Sequence, residues 1–353
     1  GIANVVDDST PQLGGNLDAN GNSIVSVSNA NIVIAPNGTG KVDINGNLDV
    51  DGGTIKLDGS YPTGTDNTAL GDTALDSVQA GGVSNTVIGH NAGTAITTGD
   101  GNTVVGDLAL DASSTSSDNT AIGRCALTTS TASNNTAVGA YSLRDNTTGS
   151  NNVAFGISAL KENTEGDNNT SIGNSSLCNN TTADNNTALG NSAMKLNTTG
   201  ASNTAVGKDA LYANTTANNN TAIGVCAMIA TTTGANNTAV GFSALDTNTT
   251  GCENVAVGRD TLFSNTSGER NVALGYRALC ANTSGDFNIA VGRQSLFGNT
   301  TGERNSVLGL NAMYTNTTGG CNVAIGGNAL YSNTTAANNT AVGACSLEAN
   351  TTG

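Results

Sequence analysis

The stretch Asn135-Thr136-Ala137-Val138-Gly139-Ala140-Tyr141-Ser142-Leu143-Arg144-Asp145-Asn146-Thr147-Thr148-Gly149-Ser150-Asn151 is one copy of a pattern that fills most of the chain. Written generally, the pattern is N-[TV]-A-[VIL]-G-x-x-[AS]-[LM]-x-x-N-T-T-G-x-x. It recurs from about Asn67 onward around central glycines that run from Gly71 to Gly343. Successive glycines lie 18, 17, 17 and 16 residues apart, then 17 without exception, which makes 17 copies. Such regularity means that one copy is one structural unit, stacked on the next.

A helical hairpin repeat needs about 30 residues or more, so these units are not helical pairs. The piece T-A-V-G reads as a short strand, and so does x-A-L-x. The central glycine reads as a corner that needs positive φ or close packing, and N-T-T-G reads as a turn. Two short strands and two turns make one coil of a parallel β-solenoid, with successive coils pairing about 4.8 Å apart. The expected fold is therefore all-β: a parallel β-solenoid or β-roll of about 17 coils over residues 67–353, a rod segment roughly 80 Å long at that spacing.

Aligning the copies gives columns. The residue before each central glycine is always aliphatic or Phe, as at Val138, Phe155, Ile172, Leu189 and Val206. Four residues after the glycine stands Leu or Met, as at Leu143, Leu160, Leu177, Met194 and Leu211, and only Gly93 breaks the column. These two columns are the expected core. Two residues before the glycine, 13 copies carry Ala, a size that lets another backbone or subunit come close.

Four residues before the glycine, every copy carries Asn. Asn119, Asn135, Asn152, Asn169, Asn186, Asn203, Asn220, Asn237, Asn254, Asn271, Asn288, Asn305, Asn322 and Asn339 continue the column without a gap. Stacked Asn side chains can hydrogen-bond to the coils above and below. Asn also tolerates the left-handed backbone of tight corners. A structural Asn ladder is the expectation here, not a catalytic amide. Two large aliphatic side chains per 17 ordered residues make a thin core. Further burial between subunits is the natural remedy, and a homotrimer packed through the Ala-rich strand is expected.

Residues 1–60 differ. They read as short alternating strands, such as Ile24–Val27, Asn31–Ile34 and Lys41–Ile44, separated by turn signals such as Asn20-Gly21, Asn37-Gly38 and Asn45-Gly46. They are expected to form a β-rich shaft segment ahead of the solenoid, with residues 61–66 as the junction. Asp18, Asn20, Asp49 and Asp51 invite a calcium reading, but the EF-hand spacing and its closing Glu are missing, so turn chemistry is preferred. The chain has no initiator Met and ends at Asn350-Thr351-Thr352-Gly353 inside a repeat, as a piece of a longer polypeptide would.

Composition narrows the function. A net charge of −15 with only 12 Lys and Arg gives no basic run to neutralise a phosphate backbone, so nucleic acid is not an expected partner. No apolar stretch approaches the roughly 20 residues of a membrane span. The seven cysteines (Cys125, Cys178, Cys226, Cys252, Cys280, Cys321 and Cys345) match no zinc or redox spacing. They read as small fillers with free thiols, disulfides between chains being the alternative. His90 is the one histidine and falls in a variable column. Acidic residues are scattered, so no carboxylate pair, catalytic site, metal site or cofactor is expected.

The motif N-T-A-[VI]-G followed by A-L resembles the head repeats of YadA-like trimeric autotransporter adhesins, which carry an N-S-x-A-I-G core. That resemblance implies a trimeric left-handed parallel β-roll. This chain departs from those repeats in its 17-residue length and its added N-T-T-G turn. The longer form, Asn135–Gly139 through Asn146–Gly149, is similar to repeats of bacteriophage tail-fibre proteins. So are the opening Val5-Val6-Asp7-Asp8-Ser9-Thr10-Pro11-Gln12-Leu13-Gly14-Gly15-Asn16-Leu17 and the stretch Ile34–Val42. This second resemblance implies an extracellular, virion-borne structural protein.

The N-T-T turn is open to two further roles. Asn146, Asn197, Asn214, Asn248, Asn265, Asn282, Asn299, Asn316 and Asn333 each begin an N-x-[ST] sequon, which in a secreted eukaryotic protein would be a row of glycan acceptors. The plainer reading is a turn in which Asn and Thr satisfy local backbone groups. Regular Thr columns also raise an ice-binding surface, but these Thr residues lie largely in the turn and not on an uninterrupted flat strand.

The expected function is a shaft segment of a trimeric phage tail fibre that spaces and presents host-receptor-binding elements. Its expected partners are its own copies, host surface polysaccharide or receptor through adjoining regions, and other fibre or baseplate proteins. A bacterial surface adhesin or extracellular filament of the same architecture is the alternative. An enzyme such as a solenoid polysaccharide lyase would need a cleft with clustered charges.

Overall fold

The computed structural model of the chain describes residues 66–353. The chain divides into two units, Gly1–Lys56 and Leu57–Gly353, and all described residues belong to the second. The strands expected within residues 1–60 and nearly all of the junction lie outside the described residues.

Residues 66–353 form an all-β solenoid. Seventeen three-residue strands run from β1 (Thr68–Leu70) and β2 (Thr86–Ile88) through β6 (Val153–Phe155), β7 (Thr170–Ile172) and β16 (Val323–Ile325) to β17 (Thr340–Val342). Each strand pairs in parallel with its neighbours in chain order, giving one sheet and about sixteen turns. The register never slips: Val153 lies beside Thr170, Ala154 beside Ser171 and Phe155 beside Ile172. The 18-residue spacing at the start and the 16-residue spacing before Gly139 are absorbed in the turns, since Thr68 still faces Thr86 and Thr120 still faces Thr136.

Each coil holds one strand, not the two expected. The x-A-L-x piece is a turn whose residues two and four after the glycine take left-handed backbone. Ser158 and Leu160 have φ of 56° and 50°. These two residues point their N–H groups to opposite sides of the coil, while Ala159 N–H between them closes on the Gly156 carbonyl of its own coil at 3.3 Å. Ser158 N–H donates down to the Ala140 carbonyl (3.0 Å), and Leu160 N–H donates up to Ser176 (3.1 Å). The segment thus keeps ladder bonding to both neighbouring coils without being a strand.

The central glycines meet both demands expected of a corner. Their φ values lie between 122° and 148°, and at Gly190 a Cβ would stand 2.4 Å from the Gly207 carbonyl oxygen. Backbone of the next coil occupies the space a side chain would need.

The interior is narrower than the sequence implied. In most coils it takes the Asn four before the glycine and the Ala two before it. After the glycine come the small residue at three, the Leu or Met at four, the Asn at seven and the Gly or Ala that closes N-T-T-G. In one coil these are Asn152, Ala154, Ala159, Leu160, Asn163 and Gly166, all buried. Leu143, Leu160, Leu177, Met194 and Leu211 are fully buried as expected. Val138, Phe155, Ile172, Leu189 and Val206 are not core: Phe155 is 55% exposed and Leu189 44%, while Val138 and Val206 are half-buried. A three-residue strand alternates its side chains, so only one parity faces inward. Ala takes that parity in 13 copies, Ser171 in one and buried Val87, Val104 and Val307 in the other three, so the inward place admits a side chain up to the size of Val.

Candidate functional site

Two amide ladders run down the interior. In the first, the Oδ1 of each Asn four before the glycine accepts the backbone N–H of its counterpart one coil on. Asn135 Oδ1 takes Asn152 N–H at 3.0 Å, and Asn152 Oδ1 takes Asn169 N–H at 2.9 Å. The column continues to Asn339, whose N–H donates to Asn322 Oδ1 at 2.9 Å.

The second ladder consists of the N-T-T asparagines. Asn163 Nδ2 donates to Asn146 Oδ1 at 2.8 Å and to the Gly166 carbonyl at 2.9 Å. That carbonyl also accepts Asn152 Nδ2 at 2.8 Å, so the two ladders share one acceptor in the coil. Except at Asn214, whose Oδ1 has no partner, the interior amides are thereby satisfied by the backbone or by their own repeat, which is what burying an amide requires.

The glycan reading of the N-T-T column is corrected by this geometry. Asn146, Asn197, Asn214, Asn248, Asn265, Asn282, Asn299, Asn316 and Asn333 are fully buried. Their Nδ2 atoms, where a glycan would attach, donate inside the solenoid. The Thr after each Asn is engaged as well: Thr164 Oγ1 donates to the Thr181 carbonyl at 3.0 Å and Thr181 Oγ1 to that of Thr198 at 3.0 Å.

The outward side of the strand row is the feature that remains to be explained. All seventeen residues preceding a central glycine are aliphatic or Phe, and none is buried. Leu70, Leu308 and Val342 are at least half exposed, and Ile88, Ile122, Ile223 and Ile325 are exposed too. Because the strands stay in register, these side chains form one uninterrupted apolar row along the solenoid. The residue at the start of each strand also points outward. From Val255 on, four of those six positions carry an aliphatic side chain (Val255, Val272, Ile289 and Val323), which doubles the width of the row. An apolar patch beyond a few hundred Å² is unusual on a surface left to water.

Charge on this surface is sparse and locally paired. Arg270 Nε stands 2.8 Å from Glu253, joining neighbouring coils. Arg259 pairs with Asp260 at 3.4 Å and lies over the Phe242 ring. Arg293 lies over Tyr276. Phe297, Tyr314 and Tyr331 stack in one column, with centroids 4.9 and 5.3 Å apart. Exposed His90 meets Asp107 at 2.9 Å.

Among the described residues no group of His, Cys, Asp and Glu could hold a metal ion, and no helix is long and apolar enough to cross a membrane. All seven cysteines carry free thiols. Burial pushes the Cys178 and Cys280 thiols up, so neither is an activated nucleophile. An open groove is lined by Ser192, Lys195, Lys208, Asp209, Tyr212 and Ile229. Its one carboxylate, Asp209, faces Lys208 at 3.4 Å.

Sequence reasoning found the Asn and Leu columns but assigned the aliphatic column to the interior. The missed signal was parity. The Asn four before the glycine and the Ala two before it lie on the same side of the chain, and the residue just before the glycine lies on the other. No protein-family model matches the chain, and neither does a curated protein or a solved structure.

Proposed function

We propose that this segment is a self-associating structural shaft of an extracellular fibre, of the kind that spaces receptor-binding elements on a phage tail. The observation that carries the reading is the continuous apolar row left uncovered on the strand face. Copies of the same chain, brought together around a common axis, would bury it along its whole length. Three copies are favoured by the resemblance of N-T-A-[VI]-G to the head repeats of trimeric adhesins.

The shared face differs from the sequence expectation in one respect. The Ala side chains point into their own coil, so contact runs through the aliphatic residues beside them. The interior supports a mechanical role. A parallel strand ladder and the first amide ladder tie every coil to the next, and the second amide ladder and a Thr ladder add rungs along most of the length, so bending must strain many hydrogen bonds at once. Host polysaccharide or receptor, and other fibre or baseplate proteins, would be engaged by regions adjoining the solenoid.

An antibody raised against residues 67–353 tests the reading by electron microscopy. Decoration along the shaft of virion fibres is the expected result. Decoration of a bacterial outer surface would move the assignment to an adhesin. Depolymerisation of host capsule by the purified segment would overturn a purely structural role.

A further inference from the structure

Two edges border the outward strand face. The residue five before each central glycine stands at one edge, and the residue just after the glycine at the other. Where the repeat places charge or an aromatic ring at both edges of one coil, the two are complementary. Asp118 faces across the strand to Arg124. Glu253 does the same with Arg259, Arg270 with Tyr276, and Phe287 with Arg293. All eight side chains are exposed. Two of these pairs are opposite charges and two are a guanidinium with an aromatic ring. Only the first coil, with Asp66 and Asp72, sets like charges together.

A strand of three residues separates the two members of each pair, so they do not meet within one chain. They would meet between two copies related by an axis parallel to the solenoid. Such an axis brings the leading edge of one strand face against the trailing edge of the next, at the same height.

Stagger by one coil destroys the match. Shifted one way, Arg259 meets Arg270, Arg293 meets Arg304 and Asp107 meets Asp118. Shifted the other way, Arg293 meets Arg270. An antiparallel arrangement sets each edge against its own kind and reverses the coil order. Like charges placed opposite one another exclude wrong registers as effectively as attraction selects the right one.

We propose that the occupant of the apolar face is further copies of this chain, parallel and unstaggered, with coil n against coil n. The position-matched edge pairs set that register. The apolar row supplies attraction without register, because it is nearly uniform along the solenoid, while the edge pairs differ from coil to coil. This proposal rests on the self-association reading above and deepens it.

The chain offers its own probe. Exposed Cys321 stands at the leading edge of the coil that contains β16, and Gly327 stands at its trailing edge. A Cβ added at Gly327 would meet nothing nearer than 3.9 Å. Within one chain β16 separates the two positions, and a strand of three residues spans about 10 Å, beyond the roughly 7 Å between Cα atoms that a disulfide can bridge. In a Cys345→Ser background, Gly327→Cys should yield covalently linked chains under mild oxidation, with Leu310→Cys and Ala344→Cys as the one-coil-offset controls. The size of the linked product on a non-reducing gel counts the copies in the ring.

Cross-linking by Gly327→Cys alone supports the proposal. Cross-linking at Leu310→Cys or Ala344→Cys instead, or at none of the three in a protein whose native mass is oligomeric, overturns the register and leaves self-association standing. A folded monomer by light scattering overturns both.

Discussion

Asn214 Oδ1 is buried with no hydrogen-bond partner, because the next coil carries Thr231 where the ladder elsewhere carries Asn. Every other member of this column from Asn146 to Asn333 has Asn one coil on. At this rung the Thr hydroxyl takes only a long 3.5 Å contact from Asn248 Nδ2 and returns nothing to Asn214. An unsatisfied buried acceptor costs about 1–3 kcal/mol. Thr231→Asn should therefore complete the ladder and stabilise the solenoid by about 1 kcal/mol. A raised urea midpoint, with slowed amide exchange around residues 214–248, is the expected readout.

The same ladder predicts a penalty at a regular rung. Asn265 Nδ2 donates to Asn248 Oδ1 at 2.9 Å and to the Gly268 carbonyl at 3.0 Å. Asn265→Asp replaces those donors with a carboxylate facing two acceptors, a buried charge without a counterion. It should cost more than Asn265→Ala, and on the order of 3 kcal/mol or above. Paired denaturation curves of the two variants check the order. Equal destabilisation would mean that the amide fills space only.

The corner glycines separate two causes of strain. Gly190→Ala suffers both a φ of 143° and a Cβ placed 2.4 Å from the next coil's carbonyl oxygen. Gly343→Ala has a similar φ of 122° but nothing within 4 Å of the added Cβ in this segment. The backbone conformation alone costs about 1–3 kcal/mol. Gly190→Ala should exceed Gly343→Ala by the added clash, seen as faster hydrogen exchange in the coils flanking Gly190.

Burial pushes the Asp246 carboxyl above its usual range; neighbouring Asp260 adds to the rise, and a hydrogen bond from Ser243 opposes it. The folded protein therefore holds this proton more tightly than the unfolded chain does. That contribution favours folding below the unfolded carboxyl value, roughly 4, and is lost as pH rises through the folded value. Asp246→Asn should raise the melting temperature at pH 7, with the gain shrinking toward pH 3. A gain independent of pH would point to packing instead.

The seventeen-residue period, the parallel stacking and the Asn column were legible because each rests on strict recurrence. Asn119 through Asn339 could be placed without knowing any angle. The one-strand coil was not legible, since Leu160 at φ 50° contradicts the ordinary preference of a bulky residue. It is held there because its side chain must reach the interior while its N–H reaches Ser176. Phe155 misled for a different reason. Its apolarity says that it will be covered, and in an isolated coil that meant the core. The structure points it outward, and the inward place goes to Ala154, which packs beside Leu160 in a narrow coil.

Native mass tests most directly whether the aliphatic strand face is where copies of the chain meet. Light scattering on the purified segment should give a multiple of the 34.8 kDa chain, three being the favoured number. Phe155→Asp combined with Ile172→Asp, two outward changes that leave the coil interior intact, should shift the mass toward the single chain while far-ultraviolet circular dichroism stays β-rich. A stable, folded monomer from the unaltered segment would contradict the account.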